Sequence, residues 1–305
     1  MRIKEAVEDY LLHCRIRGLS KETLSNKYYT LKVFSRFLES IEVKEVEQIK
    51  RNDIQKYIES ELKKENKSRT INSRLKNIKV FFEYCVEENF IKDSPLVRIK
   101  MLKESKSEFQ VFNDEEIQKI LKFYNSKSFK DIKYKTMLYM LVDTGMRVHE
   151  MRNLRIQDIN DNSVFIHQAK GGKQRTVPIS FALRKQLNRY ERARDKELRI
   201  NKFDTEYYFF TKYREQYKEN GSIQKMLKDA FVATSNRKNV RASPHSLRHY
   251  YCLKSLELGT PIYQLSKNLG HETISITEVY LSHITNDKKV ENSIKFTKSP
   301  LTDLR

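Results

Sequence analysis

The sequence contains little cysteine, glycine or proline. Its three cysteines, Cys14, Cys85 and Cys252, lie far apart and form no CxxC pair. This pattern disfavours a disulfide framework and a zinc module, and it is typical of a reducing compartment. Seven glycines and five prolines in 305 residues are too few for a fold with many tight turns between strands. A mainly helical protein is therefore expected.

Long apolar runs are also missing. The N-terminal sequence MRIKEAVEDY has no apolar stretch of signal-peptide length. No run approaches the roughly 20 apolar residues that a membrane-spanning helix needs. We therefore expect a cytoplasmic protein with no membrane partner.

Basic residues are in large excess. Sixty Lys and Arg face forty Asp and Glu, a formal charge of +20. A surplus of this size favours polyanionic partners, and by charge alone nucleic acid is the leading class and an anionic membrane surface the second. Since no membrane partner is expected, nucleic acid is the predicted partner. The chain is about twice as long as a usual domain, so two globular domains are expected.

Residues 1–100 show one amphipathic helix pattern after another. The patterns predict helices over Ile3–Arg17, from a cap at Ser20, from a cap at Asn52 or Asp53, and from about Thr70. The densest basic stretch precedes and enters the last of these helices, with one intervening acid. A solvated helix face usually mixes charge signs, so we favour phosphate contact for this stretch, which contains Lys63, Lys64, Lys67, Arg69, Arg74, Lys76 and Lys79.

A polar segment without periodicity, residues 101–111, is interpreted as a linker to a second domain over 112–305. Asn113 or Asp114, followed by Glu116, has the signature of a helix capping box. The apolar run 134–142 predicts a buried central helix. The strand-like runs 164–168 and 175–179 flank Lys170-Gly-Gly-Lys173 and predict a hairpin. Helices should follow as far as residue 283, apart from a possible strand at 207–210, and a polar tail should occupy 284–305.

The strongest local signal lies between residues 243 and 280. Ser243 and Pro244 are a good cap and a good first residue for a helix, whose first turn would project His245 and Arg248 to one side. Free N–H groups, an imidazole and a guanidinium at one helix end suit a phosphate oxygen. Gly270 is expected to end the next helix and to leave His271 on the turn beyond it. Thr273 should cap a short helix that carries Tyr280.

These residues resemble the signature boxes of the tyrosine recombinases, the family of phage integrases and Xer-type site-specific recombinases. The boxes are Arg147 in TGMRVHE, HSLRH at 245–249, LGH at 269–271 and TEVY ending at Tyr280, and Lys170 in AKGGKQRTVPI resembles the family's hairpin lysine. Residues 68–95 resemble its core-binding domain. The matches follow the family's order and spacing over nearly the whole chain.

The resemblance implies a mainly α fold, with a helical SAM-like core-binding domain over 1–100 and a mixed α/β catalytic domain with a small antiparallel sheet. The two would form a C-shaped clamp on double-stranded DNA. It also implies recombination of the integration or transposition type within a mobile genetic element or chromosome, by four protomers on two paired sites, without metal, cofactor or ATP.

The chemistry explains why these residue types are needed. Arg147 and Arg248 offer planar guanidiniums for the phosphate, and His245 and His271 add donors. Tyr280 would attack the phosphorus and retain the bond energy in a 3′-phosphotyrosyl link. Lys170 would protonate the departing 5′ oxygen. These roles are what the resemblance implies.

Less specific interpretations remain for several residues. Lys173 shares the hairpin turn with Lys170 and is the alternative phosphate contact there, and Arg175 follows it as a further basic residue towards DNA. Glu150 could simply pair with Arg147. His249 is interpreted as structural, donating to a neighbour. Tyr250 and Tyr251 are larger than the residues that usually follow this box, which predicts altered packing.

Other functions would use part of the same pattern. A catalytically silent DNA-binding regulator would share the basic surface but would have no use for the complete residue set. A metal-dependent nuclease would need a carboxylate cluster, and the sequence shows no convincing one. A type IB topoisomerase would use similar chemistry without site preference.

Overall fold

The computed structural model describes residues 1–104, 111–167, 174–235, 237 and 240–283. The chain divides into two compact units, Met1–Glu108 and Phe109–Arg305, and each has its own buried apolar core. Helices dominate both units, so the prediction of a mainly α fold is confirmed. Within the described ranges, no helix has the length and apolarity that crossing a bilayer requires.

Among its described residues, the first unit contains four α-helices, α1 (Ile3–Ile16), α2 (Lys21–Ser40), α3 (Arg51–Lys63) and α4 (Ser68–Glu87), and a 3-10 turn at Val46–Gln48. The predicted boundary between α1 and α2 is confirmed, because Gly18 adopts φ 71° and Ser20 Oγ accepts from the Thr23 N–H at 3.2 Å. One face of each helix supplies the core, whose largest fully buried rings are Phe34, Tyr57, Phe81 and Phe82.

The predicted starts of α3 and α4 are wrong by two or three residues. Lys50, and neither Asn52 nor Asp53, precedes α3. Asp53 instead occupies the third helical position and accepts from the Lys50 N–H at 2.9 Å. This is the reciprocal half of a capping box, so its sequence signal resembles that of a cap. Helix α4 begins at Ser68, two residues before Thr70.

The second unit contains eight helices among its described residues. Asn113 and Glu116 form the predicted capping box, with 2.8 Å from the Glu116 N–H to Asn113 Oδ1. The predicted central helix extends beyond 134–142 and is buried on several faces. The helices are α5 (Asp114–Phe123), α6 (Phe129–Thr144), α7 (Val148–Arg152), α8 (Phe181–Asn201), α9 (Gly221–Thr234), α10 (Pro244–Glu257), α11 (Ile262–Leu269) and α12 (Ser275–Glu278).

Two short strands, β1 (Ser163–Ile166) and β2 (Arg175–Pro178), form an antiparallel pair. Their register pairs Ser163 with Pro178 and Ile166 with Arg175, so the predicted hairpin pairing is confirmed. The turn that contains Lys170 and Lys173 falls in 168–173, outside the described residues. The further strand predicted at 207–210 does not form; isolated bridges join Tyr207 to Arg155 and Phe210 to Gln216.

Three helix ends define the region that carries the predicted site. Ser243 caps α10 with Pro244 in its first turn, as predicted. Gly270, with φ 63°, ends α11 as predicted. The predicted cap at Thr273 is wrong, because Ile274 precedes α12. Tyr280 lies beyond α12, in a 3-10 turn over Val279–His283.

Candidate active site

Arg248 lies at the centre of the site. Its side chain is buried, with 4% exposed, and it donates from Nη1 to the Gly145 carbonyl and from Nη2 to the Leu269 carbonyl, both at 2.7 Å. Burial and the charge of Arg147 lower the pKa of Arg248 to about 10. The guanidinium is therefore held rigidly between the end of α6 and the end of α11.

Arg147 lies beside Arg248. It immediately precedes α7, and its Nη2 donates to the Gly270 carbonyl at 3.4 Å, the carbonyl next to the one that Arg248 binds. Its Nη1 donates to Glu150 Oε1 at 3.1 Å, and its N–H donates to Glu150 Oε2 at 2.7 Å. Two cations from distant parts of the sequence thus meet on consecutive carbonyls, an arrangement that suits an anion between them.

Glu150 is shared between Arg147 and Arg175. Arg175 Nη1 and Nη2 donate to the two Glu150 oxygens, each at 2.8 Å, and its Nε donates to the Asn268 carbonyl at 2.8 Å. Burial raises the pKa of Glu150, but the bonds and charges of Arg175 and Arg147 outweigh it, so the pKa lies below its ordinary value. The carboxylate stays charged and fixes both arginines.

The position of Arg175 does not support the phosphate contact that the sequence suggested. Its side chain is 9% exposed, and each of its three guanidinium nitrogens donates to Glu150 or to the Asn268 carbonyl. Arg175 instead connects β2 to α7 and to the end of α11. The side chain also lies where a Cβ on Gly270 would be, 2.9 Å from Nη1.

Three imidazoles surround the arginine pair. The rings of His245 and His249 meet edge to face at 4.1 Å between centroids, and His271 Nδ1 is 2.8 Å from Thr277 Oγ1. His245 is the most exposed of the three. Burial, followed by neighbouring positive charge, lowers the pKa of all three, to about 3 for His249 and about 4 for His271. All three rings are therefore neutral at pH 7 in the DNA-free protein.

The Tyr280 hydroxyl forms a short hydrogen bond with Nδ1 of His249. The ring packs partly buried against a small cluster that includes Cys252, Leu256 and Leu269. Burial and the neighbouring Cys252 raise the pKa of Tyr280, against the charge of Arg248. The phenol is thus protonated at rest, and its oxygen points towards the His249 imidazole rather than into the core.

The predicted DNA contacts of the first unit are largely exposed. Lys63, Lys64, Lys67, Arg69, Lys76 and Lys79 are exposed, whereas Arg74 is half-buried and paired with Glu61. Acids from outside the basic stretch pair with several of them: Glu59 with Lys63 at 2.7 Å, Glu61 with Lys64 at 3.0 Å and Glu104 with Arg69 at 3.2 Å. The stretch is therefore less uniformly basic in three dimensions than in sequence.

Sequence reasoning missed two contacts of this site. The sequence placed Arg175 towards DNA because a basic residue on a hairpin has no signal that identifies a buried partner. The sequence also indicates only a structural role for His249, although this residue directly follows Arg248 and so lies one residue from the site.

Among the described residues, no three His, Cys, Asp or Glu side chains are grouped to hold a metal ion.

A helical unit followed by one with a small hairpin, in which two arginines, two histidines and a tyrosine converge, is typical of tyrosine recombinases. Sequence comparison agrees with this class. Residues 110–286 match the phage integrase family, and residues 7–89 match the phage integrase N-terminal SAM-like domain. The chain belongs to the phage integrase family and is a tyrosine recombinase.

Relatives and solved structures extend this result. The chain is 28% identical to the tyrosine recombinase XerC of Oceanobacillus iheyensis, over 88% of each chain, and 26% identical to XerD of Listeria innocua, over 93% of this chain and 95% of that one. A lambda integrase dimer bound to a COC′ core site shares the fold at TM-score 0.72 and 18% identity, over 90% of this chain and 97% of that one. The Tn1549 transposon integrase with its right-end DNA does so at TM-score 0.73 and 15% identity, over 97% and 99%.

Proposed function

We propose that this recombinase cleaves and rejoins DNA strands at specific duplex sites through a covalent link to Tyr280. Tyr280 Oη would attack the scissile phosphorus and form a 3′-phosphotyrosyl bond while the P–O5′ bond breaks. The 5′ hydroxyl of a second strand would then attack the link and release the tyrosine. Because one phosphoester replaces another at each step, the bond energy is retained and ATP is not required.

Arg147 and Arg248 are proposed to bind the non-bridging oxygens of the scissile phosphate. The two guanidiniums donate to consecutive backbone carbonyls and so lie close together, which supports this role. Donors that are already fixed in place can stabilise the charge that develops in the transition state, and they lower the activation barrier without reorganisation. His245 and His271 would add donors at the rim of the same site. Glu150 would orient Arg147 and limit the repulsion between the two guanidiniums.

Lys170 is proposed as the acid that protonates the departing 5′ oxygen, with Lys173 as the alternative or as a phosphate contact. Both lie outside the described residues, so their support is the hairpin pairing of β1 and β2 on either side of them. Phosphate contacts by Lys63, Lys64, Lys67, Arg69, Arg74, Lys76 and Lys79 also remain a proposal.

Double-stranded DNA is the proposed partner, and a tetramer on two paired sites is the proposed assembly. Solved structures of similar fold support both, since they include a lambda integrase dimer bound to a core site and a lambda integrase tetramer bound to a Holliday junction. We propose that the core-binding role belongs to residues 1–100 and the catalytic role to 112–305, in the cytoplasm.

The observation that carries the proposal is the meeting of Arg147 and Arg248 beside the His249 imidazole, which the Tyr280 hydroxyl contacts. A pool of nicked duplexes with randomised sequence provides a test, because a nick releases the short product and traps the covalent link. The wild-type chain should form a denaturant-resistant adduct, and Tyr280→Phe should form none. Sequencing the trapped DNA would give the target site. DNA binding without any adduct would favour the silent regulator instead.

A further inference from the structure

Tyr280, the proposed nucleophile, needs a group that accepts its hydroxyl proton, and its hydroxyl is in contact with His249. The hydrogen bond joins His249 Nδ1 to Tyr280 Oη, and the two rings lie 5.5 Å apart between centroids at an angle of 45°. His249 projects from α10, one residue after Arg248, whereas Tyr280 projects from the 3-10 turn after α12. The pair therefore connects the phosphate-binding helix to the element that carries the nucleophile.

The direction of this hydrogen bond follows from the protonation states. A phenol with a raised pKa holds its proton, so Tyr280 donates. A neutral imidazole accepts through an unprotonated nitrogen, which places the His249 proton on Nε2. The hydrogen bond thus joins the Tyr280 O–H, which must break during the attack, to the Nδ1 lone pair of His249, which can take the proton.

We propose that His249 is a catalytic residue that accepts the Tyr280 proton during strand cleavage and returns it during religation. In the forward step, the Tyr280 O–H proton moves to His249 Nδ1, the Oη–P bond forms, the P–O5′ bond breaks, and the 5′ oxygen takes a proton from the leaving-group acid, for which Lys170 is proposed. Religation reverses each transfer. This inference rests on the proposed function of Tyr280.

The charges around His249 show how DNA binding would enable this step. Its neighbours are His245, Arg248, His271 and the Tyr280 phenol. Burial keeps the ring a weak base, and so do the charge of Arg248 and the charge that either neighbouring imidazole would carry if protonated. A scissile phosphate bound by Arg147 and Arg248 brings a compensating negative charge. The basicity of His249 would therefore rise when the substrate is in place, and Tyr280 would stay protonated until then.

The first experiment compares adduct formation on a nicked duplex that contains a site recovered with the wild-type chain. His249→Asn keeps an acceptor near the Nδ1 position but cannot take a proton, and His249→Ala removes both. Because a general base contributes 10²–10⁴-fold in typical enzymes, single-turnover adduct formation should fall at least about 100-fold in both variants, with little change in duplex affinity. His13→Asn, which makes the same substitution in the first unit, should leave both quantities unchanged.

The second experiment separates the nucleophile from the leaving group. A duplex with a 5′-bridging sulfur at the scissile phosphate has a thiolate leaving group, which needs no proton. This substrate should restore cleavage by Lys170→Ala but not by His249→Asn. Added imidazole should partly restore His249→Ala on either substrate, because a diffusible base can enter the vacated space.

Each outcome decides between distinct ideas. If His249→Asn forms adduct at the wild-type rate, or if bridging sulfur rescues it fully, His249 does not take the nucleophile's proton, although Tyr280 remains the nucleophile. If the wild-type adduct survives in Tyr280→Phe, the proposed function itself is wrong. A loss of thermal stability in His249→Ala that imidazole does not reverse, together with normal cleavage by His249→Asn, would leave His249 with a packing role only.

Discussion

At the scale of single residues, one buried carboxylate organises much of the site. Glu150 accepts four hydrogen bonds, two from Arg147 and two from Arg175. A buried carboxylate between two guanidiniums leaves a net positive charge, which is suited to an incoming phosphate. Removal of either arginine would change the position of the other, because they share the same oxygens.

Arg175→Lys is expected to slow adduct formation by about 10- to 100-fold while duplex affinity changes little, since a small displacement of a catalytic group can cost this much. Lysine keeps the charge but cannot bind both Glu150 oxygens and the Asn268 carbonyl together. Single-turnover cleavage and a binding titration measure the two effects.

Two comparisons test the route of this effect. Arg147→Ala should reduce the cleavage rate by a similar or larger factor than Arg175→Lys. In the double variant, Arg175→Lys should reduce the rate by a smaller factor than it does in the wild-type background. Arg184→Lys alters another partly buried Arg–Glu pair on α8 and should leave cleavage intact. If the effects of Arg175→Lys and Arg147→Ala on the activation free energy simply add in the double variant, Arg175 does not act through Arg147.

At the scale of elements, two helix ends determine where the arginines bind. Gly145 ends α6 with φ 60°, and Gly270 ends α11 with φ 63°. Each glycine also faces a large side chain at close range: a Cβ on Gly145 would lie 2.2 Å from a ring atom of Tyr251, and one on Gly270 would lie 2.9 Å from Arg175 Nη1. The Tyr251 ring therefore packs directly against Gly145.

Alanine substitutions at these ends separate backbone strain from collision. Gly18→Ala, at φ 71° with open space around it, should cost about 1–2 kcal/mol, the price of a left-handed non-glycine residue. Gly145→Ala should cost more, because the Tyr251 ring must also move, and Gly270→Ala should additionally slow cleavage by displacing Arg175. Calorimetric melting of the full chain measures the free energy of unfolding of the unit that carries each substitution. Equal losses for Gly18→Ala and Gly145→Ala would contradict the predicted collision.

At the scale of the whole molecule, the histidines make stability depend on pH. The pKa values of His149, His245, His249 and His271 in the second unit are all lowered by burial and nearby positive charge. Because an unfolded histidine titrates near 6.5, the unfolded chain binds more protons than the folded chain below that pH. Their contribution is complete above about pH 6.5 and decreases as the pH falls towards 4 and 3.

The second unit should therefore melt at a progressively lower temperature between pH 7 and pH 5. The first unit provides an internal control, because His13 is the one histidine among residues 1–108, and its transition should change less. His249→Asn and His271→Asn should each reduce the slope for the second unit. A transition in that unit that does not vary between pH 7 and pH 5 would refute the proposed protonation states.

The sequence was sufficient for the helical fold, the hairpin pairing and the family, because these depend on local patterns. Helical periodicity, the Ser20, Asn113 and Ser243 caps and Gly270 each act within a few residues, and the signature boxes keep a fixed order along the chain. The errors at α3, α4 and Thr273 have the same local origin, since a polar residue inside a first turn resembles a cap.

Contacts between distant segments were decided by the tertiary structure alone. The bond between Arg175 and Glu150 spans 25 residues, the contact of Arg248 with Gly145 spans 103, and that of His249 with Tyr280 spans 31. No periodicity or cap encodes which buried charge meets which partner, because that choice depends on how whole helices pack and which groups lose their water. The sequence supplied the reactive side chains, and packing determined which of them share a proton or a carboxylate.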